Sequence, residues 1–505
     1  MSLRAWVTGS VLVCIGCGGE SDSKPSPAPK LGPVVSERLA DLAQQLGAPE
    51  ILPELDAQDM EEVDGLVTML ASSKGALRAI PLEAIRADVG PAAIGRLGEH
   101  VADSARETAL RLAAAELLGA LDHPRAAEIL MRQVEQASEP WMRSWCAWYL
   151  GDTSQDQVLP RLLRRLRYEK DPGTFLWLGR ALLHFENYAG LAALEDLAQR
   201  GADETQRATA TELLQAAAER AGVEPTQLAG LWSSQRADEL PQPTPSLRLR
   251  REVWKLVNEL SEEHFQLRGV DDARHVLSNM GPWVAREIAP ALGDTDAHVR
   301  LHTAQVLERM GPRAVSSGPA LLAALADPRL APAAAEALGR VGHPPAVSAL
   351  AAMSAPGQAH ELRVAALRAL GRTGLADGLP SLRAAFQPDK EPADLCLAAA
   401  TAMVLLDAGD EVAPWLGQQL ADPLADGEGA ELALETWLWR GSQAERKGFG
   451  TALEAWHAAA GPPGVIPSLD QVRQRFGDRS QLLSQLLPGL LFRMFNPEIL
   501  QATDD

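Results

Sequence analysis

Leu338-Gly339-Arg340-Val341-Gly342-His343-Pro344 closes one alanine-rich helical stretch and opens another, and its reading decides the fold. Its Leu stands four residues before a Gly. The same pair returns as Leu277/Gly281, Leu307/Gly311, Leu370/Gly374 and Leu405/Gly409, with successive glycines 30, 31, 32 and 35 residues apart. A fixed period of this size marks stacked helix pairs, because a single pair cannot bury its own apolar face and must lean on the next. Four residues before the joint, Leu falls on the face turned to the partner helix. Gly at the helix end supplies the left-handed cap conformation. Ala304, Ala335 and Ala402, each three residues ahead of the Leu, leave room for helices to approach closely.

Working outward, Leu118-Gly119-Ala120-Leu121-Asp122-His123-Pro124 repeats the joint in the first half, where the pattern is more degenerate. Runs of alternating apolar and polar residues are missing, so strands are not expected. The expected fold class is all-α, an α-α superhelix. Two arrays, 36–235 and 248–461, are joined by a linker at 236–247 that holds Pro241, Pro243 and Pro245. Residues 462–505, apolar from Leu482 to Leu500, form a helical cap or tail.

These repeats resemble HEAT repeats, in particular the short form first associated with phycobilin lyases. The matching residues are Asp296-Ala297-His298-Val299-Arg300 and His360-Glu361-Leu362-Arg363-Val364. The resemblance covers 269–422 well and 104–235 more weakly. It implies that Arg300 and Arg363 link neighbouring repeats, that Ala331 interrupts the ladder between them, and that a concave face lined by the second helix of each pair holds a protein partner. It also keeps open an enzyme subunit of lyase-like type.

The N-terminus has one positive charge at Arg4, a short apolar run from Ala5 to Ile15, and small residues at Gly16-Cys17-Gly18-Gly19, the layout of a secretory signal. The junction resembles the lipobox of bacterial lipoproteins, although Cys14 stands where leucine is commonest. That resemblance implies removal of residues 1–16, lipidation of Cys17, and anchoring in the cell envelope, at the outer membrane facing the periplasm. Residues 17–35, with Pro25, Pro27, Pro29 and Pro33, read as a flexible tether.

The formal net charge of -20 repels phosphate backbones and argues against nucleic acid as a partner. No nucleophile elbow, phosphate-binding loop or His-Glu-x-x-His is present, so neither an enzyme nor a cofactor is expected. His298 and His302 have i, i+4 spacing, but no further ligand accompanies them and no metal is expected. Cys146 and Cys396 read as buried small hydrophobes.

Between 141 and 188 lie nine of the chain's aromatics, drawn from 12 Trp, 3 Tyr and 8 Phe in all. Trp141, Trp145 and Trp148 share one helical face. They pack a core or line a groove for an apolar peptide, a glycan or a lipid. Nearby, Arg161, Arg164, Arg165 and Arg167 form a basic run, read as exposed. Rings and arginines together are the candidate partner site of a non-enzymatic, lipid-anchored scaffold or adaptor; a glycan or lipid carrier is the other reading.

Overall fold

The computed structural model describes residues 33–261, 269–412 and 415. The leader, Cys17, the tether up to residue 32, most of the second array beyond 412 and the 462–505 segment lie outside the described residues. Pro33, placed in the tether by sequence, is instead the first residue of a helix.

Among the described residues the elements are helices and short turns, with no strand. The first half contains α1 (Pro33–Leu46), α2 (Ala57–Ser72), α3 (Ala79–Ala84), α4 (Ile94–Ala102), α5 (Thr108–Leu121), α6 (Pro124–Gln136), α7 (Pro140–Gly151), α8 (Leu159–Tyr168), α9 (Pro172–His184), α10 (Leu191–Arg200), α11 (Glu204–Ala221) and α12 (Pro225–Ser233). The second contains α13 (Leu247–Asn258), α14 (Gly269–Asn279), α15 (Pro282–Ile288), α16 (Ala297–Met310), α17 (Gly318–Ala324), α18 (Ala331–Val341), α19 (Ala346–Met353), α20 (His360–Arg372), α21 (Leu379–Ala385) and α22 (Ala393–Leu405). Pro at the first or second position opens α6, α7, α8, α9, α12, α15, α17, α18 and α21. There its missing N–H costs nothing.

The first helices of successive pairs stack: α5 on α7, α7 on α9, then α14, α16, α18, α20 and α22 in series. The fold is an all-α solenoid of HEAT-like helix pairs. The repeated leucines Leu118, Leu277, Leu307, Leu338 and Leu370 are all fully buried. The residue after the Leu sets the spacing between layers. A Cβ added at Gly339 would lie 2.6 Å from Ala369 Cα, and one at Gly371 would lie 2.5 Å from Ala402 Cα. The glycines of the repeat do a different job: Gly342 (φ +68) and Gly374 (φ +70) turn the chain in the left-handed region. Gly409 does not; in that copy Asp407 takes the positive φ of 59.

An arginine ladder ties the layers together. Arg300 donates to Asp294 O and Thr295 O at 2.8 and 3.0 Å and pairs with Asp327 at 3.2 Å. Arg363 donates to Ser354 O at 3.2 Å and forks onto Glu391 at 3.0 and 2.8 Å. Each arginine holds the loop before its own helix and a carboxylate of the next repeat. The first half has the same rungs: Arg111 reaches Val101 O and Glu139, and Arg143 reaches Ala137 O and Glu169.

The division into two arrays needs correction. One apolar core runs from α1 through α9 directly into α13–α22, while residues of α9–α12 and Leu240 form a second, smaller cluster. α1 packs on α13 of the second half: Arg38 pairs with Glu287 at 3.1 Å, and Val35 N donates to Asp294 at 3.2 Å. The expected linker is a packed crossing. Ala237 and Leu240 are buried in it, and Ser246 N donates to Asp156 of the first half at 2.7 Å. Asn187 adds a second tie, donating to Asn279 O and Met280 O at 3.0 Å each.

Candidate functional site

The three tryptophans of α7 separate into two surroundings. Trp141 is half-buried against the core, with the Arg111 guanidinium 5.3 Å from its ring. Trp145 and Trp148 line a groove of about 500 Å³ with Tyr149, Leu70, Ala71, Arg78, Ala109, Leu112, Ala113 and Glu116. The groove therefore lies between α2, α5 and α7. Trp145 is 44% exposed, the only Trp in the chain's described residues that stands out as a large exposed apolar group.

The rings are held at fixed angles. Trp145 stacks on Tyr149 at 5.9 Å and tilts against Trp148 at 6.2 Å. Trp148 and Trp177 meet edge to face with centroids 4.5 Å apart, and the Arg180 guanidinium lies over the Trp148 ring, 3.9 Å from its centroid. Arg180 is itself fixed by Trp148 O at 3.1 Å and Asp152 at 2.7 Å. Such offset and edge-on contacts, with a cation over a ring, each add on the order of 1 kcal/mol beyond burial. The groove wall is thus preorganised.

The groove's polar groups satisfy each other. Arg78 pairs with Glu116, and Tyr149 Oη donates to Glu116 at 3.2 Å. Burial, and after it the Glu116 charge, pushes the Tyr149 hydroxyl well above its ordinary range, so it stays a neutral donor. The surface left for a ligand is mixed, with the aromatic rings beside the paired Arg78 and Glu116.

The basic run is not where the rings are, and it is not free. Arg161 forks onto Glu135 at 2.8 and 2.5 Å and reaches Glu128 at 2.6 Å. Arg165 pairs with Glu169 at 2.5 Å. Arg164 crosses to Glu259 at 3.2 Å, and Arg167 to Asp271 at 2.6 Å and Asp272 at 3.0 Å. These arginines, expected to be exposed, are 23–36% exposed and engaged within the chain. Two of them clip α8 to the second half. The sequence showed their density but could not show that Arg164 and Arg167 meet acids 95 and 104 residues away.

Sequence reasoning missed Arg111 and Arg143. A signal was available: each stands seven residues before its Leu (Leu118, Leu150), as Arg300 and Arg363 stand before Leu307 and Leu370. Among the described residues no group of three or more His, Cys, Asp or Glu is placed to hold a metal. His302, buried, has its Nδ1 3.0 Å from Leu260 O and belongs to the packing. Cys146 and Cys396 are buried and unpaired with each other; burial pushes the Cys146 thiol up to about 12.

A family model described as HEAT repeats matches residues 96–182, the segment that contains α5–α8, most of α9 and much of the groove. No curated protein matches the chain. Among solved structures, human deoxyhypusine hydroxylase in complex with glycerol is similar at 22% identity over 59% of this chain and 99% of that one, with a TM-score of 0.21. Kap121p is similar at 13% identity over 87% of this chain and 59% of that one, TM-score 0.26. The complex of CpcE and CpcF of phycocyanin lyase from Nostoc sp. PCC7120 is similar at 16% identity over 72% and 98%, TM-score 0.19.

Proposed function

We propose that this chain is a non-enzymatic adaptor that captures a protein partner in the groove between α2, α5 and α7. The observation that carries this reading is the wall made by Trp145, Trp148 and Tyr149, rigidly held and partly exposed beside about 500 Å³ of open groove. Trp and Tyr give large contact area for little loss of side-chain freedom and dominate binding hot spots. The paired Arg78 and Glu116 leave no charge in the groove seeking a counter-ion. The occupant that fits is therefore an extended, apolar segment rich in proline or aromatic residues, the class of peptide that aromatic-lined grooves accept. A HEAT-like solenoid supplies the rigid, extended support for such a surface.

The leader completes the proposal. Lipidation at Cys17 would tether the adaptor to a bacterial envelope membrane, with the outer membrane facing the periplasm as the assigned location. A photo-crosslinking residue at Trp145, in cells carrying the whole chain, tests the groove. A single dominant adduct that disappears with Trp148→Ala supports it; labelling no greater than from an exposed position on α11 refutes it. Cys17→Ala tests the anchor separately: the variant should lose detergent-phase partitioning that the normal chain shows.

A further inference from the structure

An open cavity of about 290 Å³ lies where the chain leaving α1, the start of α6 and the start of α13 meet. Three arginines line it: Arg125 from α6 of the first half, and Arg248 and Arg251 from α13 of the second. All three are exposed, so a molecule in the cavity can reach their guanidinium groups. Among the described residues none of them forms an ion pair, and the Arg125 guanidinium donates only to a backbone oxygen, Glu50 O at 2.7 Å.

The acids in the lining are engaged by other bases. Glu50 lies 3.0 Å from His123 Nε2, Glu128 pairs with Arg161 at 2.6 Å, and Glu252 pairs with Lys255 at 2.6 Å. Glu50 reports the sign of the local field. Its carboxyl is held below the ordinary range, first by His123 and further by the Arg125 and Arg248 charges, which together outweigh desolvation. In a chain of net charge -20, three arginines without acids at one cavity leave a place for an anion from outside.

Arg248 and Arg251 stand three residues apart and share one face of α13, while Arg125 comes from another helix. The positive groups thus come from two sides of the seam between the halves. The three glutamates disfavour a compact dianion such as phosphate. Two carboxylates joined by a short carbon chain spread the same charge over both sides, and each suits the fork of a guanidinium.

We infer that this cavity binds a small dicarboxylate, one carboxylate on Arg125 and the other on Arg248 and Arg251. The volume is at the lower end of the range of about 300–1,000 Å³ usual for ligand sites, so the occupant is of succinate size. Once bound, it clips α6 of the first half to α13 of the second. The cavity shares no lining residue with the groove on α2, α5 and α7 and does not depend on what that groove holds.

The test is isothermal titration of the whole chain with succinate, acetate and inorganic phosphate at low salt, where exposed charges are least screened. Succinate should bind at one site per chain, at least about tenfold more tightly than acetate or phosphate. Arg248→Gln with Arg251→Gln should weaken succinate by at least about tenfold. Arg132→Gln with Arg329→Gln removes the same charge from exposed positions outside the lining and should leave succinate binding unchanged. Both double variants should melt like the unaltered chain, because the altered side chains are exposed. No succinate binding, acetate or phosphate bound as tightly as succinate, unchanged affinity in the first double variant, or an equal loss in both would overturn the assignment.

Discussion

Gly371→Ala adds one methyl group where the backbones of successive layers approach closely. The new Cβ would sit 2.5 Å from Ala402 Cα, 2.6 Å from Ala402 Cβ and 3.1 Å from Ala402 O. Carbon atoms rest at about 3.5–4.0 Å, so α20 and α22 must part by about 1 Å. Overpacking costs about 1–3 kcal/mol, and here the obstacle is backbone, which no rotamer change relieves, so the upper end applies. Alanine returns at most about 1 kcal/mol of helix propensity. The expected net loss is about 2 kcal/mol. Gly65→Ala is the control: it is exposed within α2, nothing lies within 4 Å of its added Cβ, and the change should stabilise by about 0.5–1 kcal/mol. Solenoids need not unfold in one step, so the assay is amide hydrogen exchange read on peptides of α20 and α22. Adding Ala402→Gly should rescue protection only in part, because the main chain at position 402 still obstructs the new methyl group. Unchanged protection of α20 and α22 in Gly371→Ala, or complete rescue, would refute the argument.

Leu338→Ala removes a fully buried side chain and should lower the opening free energy around α18 by about 2–5 kcal/mol, seen by the same exchange measurement. Glu169 is buried, which alone would raise its pKa, but the Asp171 and Lys170 N–H groups and the guanidinium groups of Arg143 and Arg165 outweigh this and hold it at about 2 against an ordinary 4.5. Its stabilisation, up to about 3 kcal/mol, is present above pH 4.5 and is lost as the pH falls through about 2. Glu169→Gln should therefore flatten the acid side of a melting-temperature-versus-pH curve in that window. Arg164→Ala with Arg167→Ala should loosen α8 from the end of α13 and from α14 by no more than about 1 kcal/mol per pair, less at high salt, and should leave crosslinking at Trp145 unchanged.

The repeat was legible because its signals are local. Leu338, Gly342 and their equivalents recur at a period that only stacked helix pairs produce, and the cap geometry at Gly342 and Gly374 follows from residue type. The close-approach role of Gly339 and Gly371 was not legible in the same way, because it depends on which residue of the next layer faces them. The arrangement of the halves was illegible for a similar reason. Nothing in residues 236–247 announces that Ala237 and Leu240 are buried, or that Asp156 waits for Ser246. The rings of α7 were half-readable: their spacing put Trp141, Trp145 and Trp148 on one face, but only the neighbours from α2 and α5 send Trp145 and Trp148 to the groove and leave Trp141 on the core.

The fate of the basic run also bears on recognition. In a chain of net charge -20, cations are the scarcer partner, and Arg161, Arg164, Arg165 and Arg167 are taken by carboxylates of the same chain. A partner steered by those arginines would be released as salt is raised, because partly exposed charges are screened. A partner seated on Trp145, Trp148 and Tyr149 is held by desolvated apolar area, which excluded salts strengthen. The two modes of capture therefore respond to salt in opposite directions. Capture that persists or tightens in sulfate, and fails in Trp145→Ala with Trp148→Ala while the melting curve is kept, places recognition on the aromatic wall; capture that fades with salt and survives that double change removes it from there.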